Sequence, residues 1–480
     1  MIHLFKKLSL LFLVAIGIIA NIIALFILKI PPSLRRIHVL EGYIIKIIIA
    51  AVGLALIFIP LYFLISKHNQ RKQKLKRIAV NFILLAVTVF ISLSILELVL
   101  QLTSIKGCRQ NDPLIDHSYR PNCRSSFKSE EWTVPVSINS HGMRDDEIAL
   151  RENFNHRILL LGDSFLMGYG VRAEDSFAYL LEQKLKDAGL KTDVLNGGVT
   201  SYSPILEYLY LRERSLELQP DIVVLLFDMS DVQNDYLYEK QAVFDSFGEL
   251  VAVPYAEPKS ILLKLYNKLK VIKFLERFFS ILDARSAGTA EINQANYYDL
   301  DHDKYAITRE GLPPEKEQEY WNYSLGYIQK MAEFSQERNI TFVLATYPYG
   351  HQVSAEEWVL GRHNYGFEQG IVYSDRPNSI LEEFAKDENM PFISLFADFK
   401  QSEVRPLYFP YDGHFNNDGH KLAAEVLYRE INKLKVLRDE IVNPEPAGPV
   451  GKRLQSENNL SRDRFVNNLF DNNPYRKFIG

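Results

Sequence analysis

A serine directly behind a short apolar run, with histidines set close behind aspartates much later in the chain, supplies the residue types of a covalent acyl-transfer site. The serine is Ser164, in RILLLGDS at residues 157–164. The histidines are His414 and His420, in YDGHFNNDGH at residues 411–420, which writes Asp-Gly-His twice. A serine hydroxyl is a poor nucleophile until a base within hydrogen-bond reach takes its proton, and that base works best when a third group orients it. Asp412 with His414 and Asp418 with His420 each offer such a pair, and only one can serve Ser164. Taken alone, Gly-Asp-Ser equally describes a loop with a helix cap.

The elements that must position these residues follow a regular alternation. Apolar runs of strand length occur at 157–161, 193–195, 221–227, 341–346 and 391–395. Helical patterns lie at 176–187, 205–218 and 317–337, with one more at 419–434 after the last strand. Short strands apolar on both faces, alternating with amphipathic helices, predict a parallel sheet covered on both sides, an α/β fold of three layers. Ligands in such sheets bind beyond the carboxyl ends of strands, and Ser164 stands just past the first of these runs. Gly162 permits a tight turn there, and a helix start behind it aims N–H groups and the positive end of a dipole at the same place.

With these blocks in view together, the chain resembles the SGNH (GDSL-type) hydrolase superfamily of esterases and acyl transferases, with some likeness to membrane-linked polysaccharide O-acetyltransferase relatives. LLLGDSFLMGYG, residues 159–170, resembles the first block and puts Ser164 in the nucleophile position. NGGVTSYS, residues 196–203, resembles the second, and HFNNDGH, residues 414–420, resembles the last, a run that precedes a helix. NSHGMRDDE at 139–147 is a similar lead-in, and the likeness covers residues 157–434. The resemblance implies a flavodoxin-like α/β/α fold around a mainly parallel five-stranded sheet. It implies Ser164 as nucleophile, His414 as base and Asp412 as acid, with the N–H groups of Ser164 and Ser201 facing the oxyanion. His420 then matches the family's second, non-catalytic histidine, and Asp418 is placed to cap the last helix.

Three positions depart from the family pattern. Ser201 stands where the second block has glycine, which leaves a backbone donor intact. In LLFDMSDVQND, residues 225–235, Ser230 and Asp231 stand where the third block has Asn-Asp. The amide donor lost there is worth ~2.7–4 kcal/mol of transition-state stabilisation, unless the Ser230 hydroxyl or Asn234 replaces it. Asp412 is two residues before His414 instead of three, so a tight turn at Gly413 must bring the carboxylate to the imidazole. Asp228, Asp231 and Asp235 lack a histidine among them and read as a solvated loop with one hydrogen-bonding carboxylate, not a metal cluster. No phosphate loop, dinucleotide fingerprint or zinc spacing is present, so neither cofactor nor metal is expected.

The rest of the 480 residues sets the surroundings. Runs at 8–28, 47–65 and 78–95 carry no charge and approach the roughly 20 residues a helix needs to cross a bilayer, so three transmembrane helices are expected within 1–106. The basic loop 67–77 belongs on the cytoplasmic side, which puts the N-terminus inside and everything beyond residue 102 outside. There an oxidising compartment permits a disulfide between the two cysteines, Cys108 and Cys123. Residues 107–155 read as an extracytoplasmic strap, 156–440 as the hydrolase-like domain, and 441–480 as a disordered polar tail. Within the domain, 259–286 is a basic amphipathic stretch, read as a helix docked by its apolar stripe or lying on anionic headgroups. The net charge of −4 says nothing about nucleic acid, and with no basic stripe interleaved with aromatics in the soluble part no nucleic-acid partner is expected.

These readings converge on a membrane-anchored serine esterase acting on O-acyl esters of extracytoplasmic glycans or lipids, with envelope polysaccharide machinery as a candidate partner. Two alternatives share the residues: an O-acyltransferase that modifies an exported polysaccharide, and a catalytically silent module that binds glycan or scaffolds an assembly.

Overall fold

The five apolar runs form one sheet, and the sheet is parallel throughout. The structure is a computed structural model that describes residues 107–257, 297–368, 370–434 and 436–437, together with 80, 85, 88–89, 92–101, 266 and 269–274. The candidate spans 8–28 and 47–65 lie outside the described residues, as does 78–95 apart from 80, 85, 88–89 and 92–95. Among the described residues no helix is long and apolar enough to cross a membrane. The tail 441–480 also lies outside them, and so does 259–286 apart from 266 and 269–274.

Two antiparallel hairpins come first: β1 (Arg109–Asn111) with β2 (His117–Tyr119), and β3 (Arg124–Lys128) with β4 (Thr133–Ser137). These occupy the segment read as a strap, and Cys108 and Cys123, which flank the first hairpin, are joined as a disulfide. In β4 alternate residues turn inward, Val134 and Val136 buried, while Pro135 lies on the outer face, as an edge strand tolerates. The sheet then begins with β5 (His156–Leu161), followed by the short α1 (Ser164–Met167), α2 (Phe177–Asp187) and β6 (Thr192–Asn196). Next come α3 (Pro204–Arg214), β7 (Ile222–Phe227), α4 (Asp231–Glu239) and a small hairpin of β8 (Val243–Phe244) with β9 (Leu250–Ala252). The chain continues through α5 (Pro314–Gln336), β10 (Thr341–Thr346), α6 (Gly350–Val353), α7 (Arg376–Asp387), β11 (Phe392–Ser394), α8 (Phe396–Gln401) and α9 (Asn417–Ile431).

Strand order is β11-β10-β7-β5-β6. The chain therefore steps from β5 to one side, then crosses back to β7 and onward. Right-handed crossovers place α2 on one face and α3, α4 and α5 on the other. Packing agrees: α2 meets α9, whereas α5 meets α3 and α4. Every residue of β7 is buried, as a central strand covered on both faces requires. The reversal at β5 opens a crevice at the carboxyl end of that strand, between the loops that leave β5, β6 and β7.

Candidate active site

Ser164 sits in that crevice at the first turn after β5. Gly162 allows the turn: a Cβ there would lie 3.1 Å from the Leu166 Cβ and 3.4 Å from the Leu226 Cβ. Asp163 caps the helix start, its Oδ1 accepting the Phe165 N–H at 2.8 Å. His414 comes from the far end of the chain, in a tight loop where Phe409 N donates to His414 O and Asn416 N donates to Leu407 O. His414 Nε2 lies 2.8 Å from Ser164 Oγ, and His414 Nδ1 lies 2.5 Å from Asp412 Oδ1. Gly413 makes the two-residue spacing work. Its φ of +89° folds the chain back where an L side chain would be strained, and a Cβ would meet Trp358 Nε1 at 2.6 Å.

The imidazole is packed against Phe165 and Tyr169 in tilted contacts, with centroids 4.7 and 5.0 Å away. The acid loop is held from the side by Trp358, whose Nε1 donates to Tyr411 O, and by Leu360 N on Pro410 O. Buried Glu357 accepts from Leu407 N, Tyr408 N and Arg405 Nη1, which fixes the strand entering the loop.

Among the described residues no protein acceptor takes the N–H of Ser164 or of Ser201. Both amides thus remain available to a developing oxyanion. Ser201 adopts φ +66°, the left-handed conformation that glycine would reach without a Cβ penalty. The surroundings over-determine it: Tyr238 Oη donates to Ser201 O, Tyr119 Oη lies 3.0 Å from Thr200 Oγ1, and His117 Nε2 lies 2.8 Å from Thr200 O. Two of these three groups belong to the first hairpin. Ser230 is buried just before α4, and its N–H donates to Asp228 Oδ1 at 2.6 Å; half-buried Asn234 follows one turn on.

Behind Ser164 lies a group of acids where a solvated loop was expected. Asp228, Asp231 and Asp235 are 0–1 % exposed. The reason is topological: the loop after β7 lies between the neighbouring strand ends of β5 and β10, and α5 closes over it. Tyr347 Oη is 3.1 Å from both Asp163 Oδ1 and Asp228 Oδ2, and Tyr349 Oη donates to Asp228. Asp235 is held by Ile205 N and Ser324 Oγ. Among the described residues no group of His, Cys, Asp and Glu fits a metal ion. Burial, then the nearby Asp228 charge, pushes the Asp163 carboxyl up to about 6. This bears on Ser164, because its Oγ is also 3.0 Å from Asp163 Oδ2 and one hydroxyl proton cannot serve two acceptors.

Glu207 and Asp231 are extreme members of this group. Both are buried with unpartnered oxygens, and burial first, then neighbouring carboxylates, holds them well above the usual carboxyl range. With folded values raised, the native state keeps protons that the unfolded chain has released. The stabilising share is full below the unfolded value near 4 and is lost as pH rises through the folded values. Glu207→Met, which fills similar volume, is therefore expected to stabilise the fold by on the order of 1–3 kcal/mol, most at alkaline pH. Urea midpoints at pH 6 and pH 9 check this; a variant less stable than wild type at pH 9 contradicts it.

The second histidine is placed elsewhere. His420 is buried, Phe177 N donates to its Nδ1, and burial pushes it down to about 3, so it stays neutral and anchors the start of α2. The cap of α9 is Asn416, whose Oδ1 accepts from Asp418 N and Gly419 N, and not Asp418, which pairs with Lys421 within the first turn. Asn416 stands one position before the helix, where a side-chain oxygen faces the free amides. Sequence reasoning also passed over Tyr347, Tyr349 and Glu131. The two tyrosines alone had a local signal, as polar-tipped aromatics at the carboxyl end of β10.

No family model matches the chain, and no curated protein matches it. Among solved structures it is similar to a GDSL-like lipase from Bacteroides thetaiotaomicron, 14% identical, covering 59% of this chain and 91% of that one, TM-score 0.30. A catalytic mutant of Axe2, an acetylxylan esterase from Geobacillus stearothermophilus, is 12% identical over 60% of this chain and 99% of its own, TM-score 0.33. A two-domain esterase active on acetylated mannans is 13% identical over 62% of this chain and 53% of its own, TM-score 0.31. The chemistry of the site rests on its own geometry.

Proposed function

We propose that the chain is a serine esterase that hydrolyses O-acyl esters of extracytoplasmic glycans or lipids and is held at a membrane by its apolar N-terminal part. The observation that carries the reading is the continuous line from Ser164 Oγ through His414 to Asp412, at 2.8 and 2.5 Å, beside two unengaged backbone N–H groups. Ser164 Oγ attacks the acyl carbonyl while His414 Nε2 takes its proton and Asp412 stabilises the imidazolium. The carbonyl oxygen gains charge facing the N–H groups of Ser164 and Ser201. The ester C–O bond breaks, His414 returns the proton to the leaving alkoxide, and the alcohol departs. Water then attacks the acyl-Ser164 carbonyl, giving its proton to His414, which passes it to Ser164 Oγ as the acid leaves. The charge-free runs at 8–28, 47–65 and 78–95 and the basic loop 67–77 support the membrane setting, and the Cys108–Cys123 disulfide fits an oxidising compartment.

The test is covalent labelling of the full-length protein in detergent with a fluorophosphonate, alongside hydrolysis of p-nitrophenyl acetate. The expected result is a single adduct on Ser164 and measurable turnover. Absence of both would mean that the triad is ornamental.

A further inference from the structure

We propose that Glu131, on the turn between β3 and β4, is a positioning residue for the acid of the triad. The proposal rests on the Ser164, His414 and Asp412 assignment above. Glu131 Oε1 accepts the N–H of Tyr411 at 3.0 Å and Glu131 Oε2 accepts the N–H of Asp412 at 2.6 Å. One carboxylate therefore binds two consecutive amides, one of them the amide of the catalytic acid itself. Such charge-assisted bonds are short and directional, so they define the orientation of the peptide that carries the Asp412 side chain.

The spacing of the acid explains why the loop needs this hold. With one residue between Asp412 and His414, the carboxylate reaches Nδ1 only while Gly413 keeps its left-handed turn, and small rotations at 411–412 swing Oδ1 away. The Tyr411 peptide is gripped at both ends: its N–H by Glu131 and its C=O by Trp358 Nε1. Glu131 is itself prepared for the contact. Its N–H donates to Ser129 Oγ, and Ser129 N donates to Trp132 O, closing the turn. The hairpin is seated by aromatic contacts around the base: Trp132 lies edge-on to Tyr169 at 4.8 Å, Phe127 meets Tyr169 at 4.9 Å, and Tyr169 lies tilted against His414 at 5.0 Å. The segment preceding the sheet thus reaches over the site and sets the geometry of its acid.

The experiment compares wild type, Glu131→Ala and Glu131→Gln as full-length protein, reading kcat and KM for p-nitrophenyl acetate, the rate of fluorophosphonate labelling, and the melting temperature. Loss of positioning is expected to lower kcat of Glu131→Ala by about 10- to 100-fold, with KM and melting temperature near wild type and labelling slowed in parallel. Glu131→Gln keeps one acceptor oxygen and is expected to fall between the two. Wild-type kcat in Glu131→Ala overturns the proposal, and so does a drop in kcat tracked by a matching drop in melting temperature, which would mark a merely structural contact. Should Glu131→Ala fail to fold, Glu131→Gln decides by the same criteria. A wild type that does not label at Ser164 overturns the functional reading first, and the proposal with it.

Discussion

Ser164→Ala is expected to lower the rate of p-nitrophenyl acetate hydrolysis by on the order of 10⁴- to 10⁶-fold, while the fold stays intact. The side chain is small and only half-buried, so its loss opens no sizeable cavity. Its hydrogen bonds go to His414 and Asp163, both of which keep other partners. The chemical loss is complete, because no other hydroxyl is within hydrogen-bond distance of His414 Nε2 among the described residues. What remains is the contribution of the oxyanion donors to attack by water. Initial rates and a far-ultraviolet circular dichroism spectrum check both halves. Equal rates in the two proteins would remove Ser164 from the mechanism.

Asp412→Asn is expected to cost about 10⁴-fold in kcat, nearly as much as losing the serine although the shape is kept. The reason is the tautomer. Asp412 accepts from His414 Nδ1, which leaves Nε2 as the acceptor facing Ser164 Oγ. An asparagine can turn its NH2 toward Nδ1, which moves the ring proton to Nε2 and blocks the transfer from serine. Substrate binding is untouched, so the loss should lie in kcat and not in KM. A second expectation is non-additivity: Ser164→Ala with Asp412→Asn should be no slower than Ser164→Ala alone. A double variant slower by the product of the two single effects would mean that Asp412 acts outside the relay.

The sheet was legible because its strands are short, apolar on both faces and separated by helical periodicity. Residues 341–346 were read with the boundaries that β10 has, and 157–161 and 221–227 differ from β5 and β7 by a single residue at the start. That Ser164 and His414 meet was legible through their place after strand and turn. The hairpins at 109–137 were not, and β3 shows why: RSSFK is polar, half-exposed and without alternation, so no local period marks it. The acids after β7 misled for a related reason. DMSDVQND has the composition of a surface loop, and only the closure of α5 and the neighbouring strand ends puts Asp228, Asp231 and Asp235 out of solvent. Glu131 and Asp412 lie 281 residues apart, so their contact is a property of the assembled chain that no window of sequence contains.

That separation also has a meaning in time. The groups that the proposed mechanism gathers around Ser164 come from both flanks of the sheet, Glu131 before its first strand and Asp412 with His414 after its last. Chains grow from the N-terminus, and contacts this distant in sequence form late because long loops must close first. A ribosome that has reached residue 400 has made Ser164, Ser201 and every strand of the sheet, but neither Asp412 nor His414. The proposed triad is therefore assembled only when the final loop and α9 settle into place.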